Sequence, residues 1–558
     1  MSRSSAFTHA GALILAITLV LQASSAGVAA GPLWSSTITF TNVVASTPVV
    51  GGGYPVISGK YVPGTCGPQP LNSNRSESWI AVKPGTEDLV GTSKFFMSKW
   101  STFYDFHLGS YTILGGTPVA NNQVQGYECT TVGTQEMPPS WTHNTDPNAD
   151  FDTQGRVYQT TLPFNAYWQN LHPNAAVMVS YSDDMGAHWV TANGGVPLEQ
   201  SPNASSLQFG HVEDKQFIAV NHIAGHQYQD HVYAVWSVFN GSSVDLRISV
   251  SRDRGATFSR YNSFTMPSVS GHASFYVQPS IDANGDLYLA FAGEDKQTKG
   301  SRESLYVAKS TDDGRTFTFS KAVSGVGVIP SCCLPNTTFR DGITEGFAAS
   351  PTYAGHLYLA YEDWDFTNGQ MDVKFVQSAN GGATWSNPVK VNDNTESAGL
   401  GYTDQFQPAV AAGPNGAVAI AFYDRRAECP NDPSVLAADV GETNFCIDTT
   451  LQAYKDTGAG AQPVLANTRI TDFTWDPMNP AQHVEGIGQM ACAAHRDPCT
   501  TRAFIGDYFG LAISGGNIYG LFVSTHYASN VTADEGGPVY YQQQVLAKVA
   551  RSAYGTGY

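Results

Sequence analysis

Charge is scarce in this chain. Asp, Glu, Lys and Arg together make up 14% of its 558 residues, against about 25% in an average soluble protein. Basic residues are scarcer still: 29 Lys and Arg stand against 47 Asp and Glu, a formal net charge of −18. So acidic a chain repels a phosphate backbone, which excludes nucleic acid as a partner. The same shortage argues against coiled coils, helical bundles and disordered polar tails. Long apolar runs are missing too. Ala12 to Leu21 (ALILAITLVL) falls short of the roughly 20 residues that span a bilayer, and no later segment reaches that length, so no transmembrane segment is expected.

That short run has a different meaning. With Arg3 before it and small residues ending at Val28-Ala29-Ala30 after it, residues 1–30 read as a secretory signal peptide. The expected location is secreted and extracellular, or periplasmic in a Gram-negative host. Export makes the eight cysteines readable as disulfides. Cys429/Cys446 and Cys492/Cys499 are local pairs inside an insertion around 427–500, Cys66/Cys129 could bridge the N-terminal third, and Cys332-Cys333 are adjacent. None has the spacing of a zinc site.

What is plentiful is glycine, at 55 residues, and aromatics, at 12%. That pairing favours short strands joined by tight turns. A strand-like segment opening on a polar residue recurs at Glu77, Asp146, Asp214, Gln278, Glu345, Gln407 and Asp507, about 60–70 residues apart except for a last interval of about 100. A glycine turn and a second apolar run come after most of them: Gly285 then LYLAF, Gly355 then LYLAY, Gly416 then VAIAF, Gly516 then IYGLF. Such runs fit hairpin strands.

A third marker sits later in each unit. It reads Ser182-x-Asp184-x-Gly186-x-x-Trp189, Ser251-x-Asp253-x-Gly255-x-x-Phe258 and Ser310-x-Asp312-x-Gly314-x-x-Phe317, with Ser378-x-Asn380-x-Gly382-x-x-Trp385 as a variant and Asp456-x-Gly458 as a worn fifth copy. Glycine supplies the positive φ of a tight turn while Ser and Asp side chains bond the turn's own backbone. These copies resemble the Asp-box (BNR) repeats of the sialidase superfamily. The resemblance covers roughly residues 70–550 and implies an all-β propeller of four-stranded blades with Asp-box turns. Seven strand starts predict seven blades, with six as the alternative. Residues 31–70 form an N-terminal extension in which Ser36 to Val44 could close the ring, and the propeller occupies 71–558.

In a propeller, first strands start and second strands end on one face, and the Asp-box turns lie on the other. The strand-start residues, Lys215 among them, should therefore rim a central funnel beside Glu362, Tyr423, Asp424 and Arg425. Crowded carboxylates perturb one another's pKa values, as acid/base chemistry requires, and guanidinium forks suit a carboxylate. The resemblance implies three arginines on a sugar acid, a tyrosine nucleophile paired with Glu, and an Asp acid/base. Arg340, Arg425 and Arg502 are the candidate forks; Tyr508 or Tyr423 is the candidate nucleophile, with Glu345 or Glu362 beside it; Asp424 and Asp507 complete the set. The family's FRIP motif is missing, and Phe339-Arg340-Asp341-Gly342 keeps only its first two letters. Two smaller signals are the cluster His222, His226 and His231, which fits a surface hairpin, and Asp146, Asp150 and Asp152, whose alternation suggests a calcium loop without the EF-hand glycine. No cofactor is expected, and the sequence names no metal and no oligomer. Two functions fit these signals: a secreted exo-α-sialidase-like glycoside hydrolase acting on terminal acidic sugars of glycans, or a non-catalytic propeller that binds glycans or proteins.

Overall fold

The computed structural model describes residues 34, 36–46, 75–96, 106–125, 131–132, 135–136, 143–165, 174–201, 211–240, 243–264, 276–294, 301–330, 333–334, 339–342, 345–394, 403–427, 446–475, 477, 505–527 and 542–558. The signal-peptide reading, Arg502 and most of the cysteine-bearing insertion lie outside them. Cys333 and Cys446 are each disulfide-bonded; the cysteines paired with them from sequence are outside the described residues.

Seven antiparallel sheets succeed one another along the chain, each a run of four strands, with a short fifth strand added in the second and the sixth. Blade 1 starts with Arg75–Val82, blade 2 with His143–Phe151, blade 3 with His211–Val220, blade 4 with Gln278–Ile281, blade 5 with Glu345–Ala349, blade 6 with Gln405–Ala412 and blade 7 with Gly510–Ile513. Each first strand packs against the first strands of the blades on either side, and blade 7 meets blade 1, so the ring is closed. The architecture is a seven-bladed β-propeller. Blade 7 has three strands of its own and takes its fourth from the N-terminal side, where Phe40–Val44 pairs with Gln543–Ala550 from Phe40↔Val549 to Val44↔Val545. This removes the open edge that a three-stranded last blade would present.

The apolar runs after the glycine turns are the second strands, and they carry a buried tyrosine at matching places. Tyr158, Tyr233, Tyr288, Tyr358 and Tyr519 are essentially inaccessible to solvent. Their hydroxyls donate to Asp152, Asp313, Asp282, Asp456 and Glu87 at 2.6–3.2 Å. Each ring fills the space between sheets while its polar tip is satisfied.

The Ser-x-Asp-x-Gly turns close as hydrogen-bonded units after the third strands. In the first, Ser182 Oγ donates to Asp184 Oδ1 at 2.8 Å, accepts from the Gly186 N–H at 2.9 Å, and Asp184 accepts the His188 N–H at 2.9 Å. The same serine bonds recur from Ser251, Ser310 and Ser378. Trp189 is buried and donates its indole N–H to Ser110 in blade 1 at 3.1 Å. Replacing Trp189 by Ala is expected to cost about 3–5 kcal/mol, read as a lower urea midpoint at unchanged slope.

Candidate functional site

First strands begin on the same face on which second strands end, as Glu345↔Tyr361 and Ala349↔Leu357 show in blade 5. In four blades the first strand carries a β-bulge near that end. Register slips between Ser76 and Trp79, Thr145 and Asn148, Asp214 and Phe217, and Phe406 and Ala409. At each slip one non-glycine residue takes a left-handed φ: Glu77 at 48°, Asp146 at 55°, Lys215 at 53° and Gln407 at 47°. Such backbone costs about 1–3 kcal/mol per residue and persists where the surroundings impose it. A bulge re-aims a side chain, and here it serves the sequence's own strand-start markers. In blade 3 the bulged residue is Lys215, one position beyond Asp214.

These side chains meet others from loops. Lys215 Nζ donates to Asp507 at 2.9 Å and to Asp146 at 3.3 Å, and stands 4.0 Å from Asp214. Arg340 forks onto Asp507 through Nε at 2.8 Å and through Nη2. Lys94 pairs with Glu77 at 2.7 Å. Tyr276, with φ 69°, places its ring 5.1 Å from Lys215 Nζ. Gly506 holds Asp507 in place: its φ is +107°, and a Cβ there would lie 2.5 Å from the Glu77 nitrogen.

Electrostatics divide the carboxyls. Burial would raise Asp146, but Lys215 and Lys94 outweigh it and hold the group down at about 2. Asp507 likewise is buried, yet Arg340 and Lys215 keep it well below the usual carboxylate range. Asp214 goes the other way: burial pushes it up to about 6, with the charge of Asp146 adding to it against Lys215. Burial pushes Glu77 up to about 8 in spite of Lys94. Two members stay open, Arg340 at 36% and Asp214 at 31% side-chain exposure, whereas Lys215, Asp146 and Asp507 are at 8% or less. An accessible acid that holds its proton near pH 6 beside carboxylates that stay ionised is a division of roles suited to acid/base chemistry.

The other residues expected at the site fall elsewhere. Arg425 is fully buried and bonded to Asp404 at 2.5 Å. Asp424 accepts Arg426 Nε at 2.7 Å and Thr450 Oγ1 at 2.8 Å, a lock at the corner of blade 6. Glu362 is buried and accepts the N–H of bulged Gln407. Glu345 is inaccessible, and burial with the charge of Glu303 raises its carboxyl well above the ordinary value. Tyr508 packs tilted against Phe217 and edge-on to Trp79, its hydroxyl donating to the Pro147 carbonyl at 2.9 Å. The Tyr423 hydroxyl is buried and accepts the Val523 N–H at 3.2 Å. Trp364 and Tyr361, at the end of the second strand of blade 5, are buried.

Sequence reasoning missed Tyr276, Lys94 and Asp404. Tyr276 lies two residues before the Gln278 marker, a signal open to reading; Lys94 interrupts an otherwise neutral second strand. The histidines separate, His222 to Asp150, His226 to Asn221 and His231 to Asp313. Asp150 and Asp152 are spent on backbone N–H groups and on Arg254. Among the described residues no group of three or more His, Cys, Asp or Glu could hold a metal ion, and no helix is long and apolar enough to cross a membrane.

No protein-family model matches the chain, and no curated protein matches it. Several solved structures are similar. An ulvan lyase of polysaccharide lyase family PL25 is 10% identical, with a TM-score of 0.42 over 81% of this chain and 91% of that one. The NanB sialidase of Streptococcus pneumoniae is 11% identical, with a TM-score of 0.34 over 89% of this chain and 72% of that one. The GH93 α-L-arabinofuranosidase of Fusarium graminearum is 14% identical, with a TM-score of 0.34 over 61% and 93%. At these identities and TM-scores, none of the three decides what this chain does.

Proposed function

We propose that the protein is an exported glycan-processing enzyme for acidic sugars, a glycoside hydrolase with a sialidase-type division of labour. One observation carries the reading: Arg340 and Asp214 stay open at the mouth of the ring, above ionised Asp146 and Asp507. Arg340, aligned by Asp507, takes the sugar's carboxylate. Asp214 carries the proton for the leaving oxygen. Tyr276 is the described tyrosine beside these charges, lying against Lys215, but burial and the charge of Asp507 push its hydroxyl well above the ordinary range, so it lines the site and is assigned no attack.

A second reading comes from Arg425. Its burial against Asp404 leaves Arg340 as the fork beside Asp507 and Asp214, which suits a uronic acid in a chain as well as a terminal sialic acid. The test is turnover of a fluorogenic α-sialoside, and of polygalacturonate and alginate by reducing-end release, with the mature chain and with Arg340→Ala. Hydrolysis of one acidic substrate, reduced at least about a hundredfold by the substitution, is the expected result. Turnover of none by a folded protein would leave the non-catalytic binding reading in its place.

A further inference from the structure

Among the described residues only two phenylalanine, tyrosine or tryptophan side chains are exposed, Phe366 at 45% and Phe473 at 48%. Both lie on the face that carries Arg340 and Asp214. Phe366 comes just after the end of Leu357–Asp365, the second strand of blade 5. Phe473 lies two residues before Trp475, which bridges to Ile447 at the head of the third strand of blade 6, opposite the end of the second.

Each ring also has a neighbour packed against it. His526, just past the second strand of blade 7, stacks on Phe473 with centroids 3.7 Å apart and planes at 14°. Burial lowers the pKa of that imidazole. Tyr527 meets both rings edge-on and donates its hydroxyl to Asp472 at 2.5 Å. On the blade 4 side, the guanidinium of Arg302 lies 5.1 Å from the centroid of Phe366 and donates to the Gly325 carbonyl at 2.7 Å. An exposed aromatic ring packed against a neighbour is a surface for the C–H face of a sugar, and a polar rim of Asp472, Tyr527 and Arg302 suits its hydroxyl or anionic groups.

We infer that the mouth of the ring binds an extended sugar chain, with Phe366 and Phe473 as separate stacking subsites for sugars beyond the unit held at Arg340. The inference rests on the proposed site only for the placement of that acidic unit. It changes the substrate class from a terminal residue alone to an oligosaccharide or polysaccharide.

Affinity electrophoresis in gels cast with polygalacturonate, alginate or α2,8-linked polysialic acid tests it. The mature chain is expected to be retarded by at least one polymer. Phe366→Ala and Phe473→Ala should each weaken that retardation roughly tenfold, with unchanged circular dichroism. Retardation is read whether or not any substrate is turned over, which separates loss of chain binding from failure of the proposed chemistry. Retardation by none of the polymers, or equal retardation of the parent and both phenylalanine variants, would overturn the inference. So would a shift of Phe473→Ala from dimer to monomer in sedimentation with no change in retardation, which would assign that ring to contact between copies.

Discussion

Replacing Asp507 by Asn is expected to destabilise the folded chain by about 3 kcal/mol at neutral pH. The carboxylate accepts Lys215 at 2.9 Å and both forks of Arg340, and its removal leaves the buried Lys215 leaning on Asp146 at 3.3 Å and Asp214 at 4.0 Å. Arg340 is a third exposed and recovers part of its solvation, which keeps the loss at the lower end of the range for a broken buried pair. The sign with pH is set by the lowered pKa. Asp507 contributes its stability in full above the ordinary carboxylate range, and the contribution fades as pH falls toward its own, lower value. The gap in unfolding free energy between parent and variant should therefore be constant from about pH 5 to 8 and shrink below about pH 4. Urea unfolding across that range measures it; a gap that stays the same down to about pH 3 would mean that the ion pairs are not what the substitution removes.

The second large effect belongs to Asp214. Asp214→Asn should lower kcat on the acidic glycoside by roughly 10²–10⁴-fold with little change in fold. As a general acid the group must hold its proton, so the parent's turnover should fall as pH rises through about 6, the value to which burial pushes this carboxyl. That limb should vanish from the residual activity of the variant. Proton uptake on folding gives a second readout. The folded state holds this proton more tightly than the unfolded chain between about pH 4 and 6, so the group's contribution to stability declines as pH rises across that window, and the variant should lack the decline. Parent-like kcat with the limb intact would remove Asp214 from the chemistry and return attention to Glu77.

Much of the fold is legible in the sequence because it repeats. A polar residue breaking an apolar strand at Glu77, Asp146 and Gln407 is visible at blade-length spacing, and those residues are the bulged ones. Asp214 reads as the fourth, and the bulged residue is Lys215. A two-residue alternation cannot tell which of two adjacent residues a bulge turns inward, because the extra residue resets the alternation at that point. Arg425 illustrates a different limit. In the sequence FYDRR it looks like an open fork, but Asp404, from the loop before the first strand of its own blade, closes on it. Nothing near Arg425 in the chain announces that partner.

The sequence by itself pointed to seven blades with six left open, to the tight turns that close their third strands, and to an N-terminal strand that could complete the last blade. These depend on local rules: glycine where φ must be positive, side chains that bond their own turn, and apolar residues at strand period. The tertiary structure alone decided which charges face solvent and which are spent on one another. Lys215 and Asp507 are 292 residues apart, and Arg340 and Asp507 are 167 apart. Their pairing arises only when the ring closes and brings the starts of blades 1, 2, 3 and 7 together with the segment leading into blade 5, where burial and opposing charge then set each carboxyl's pKa.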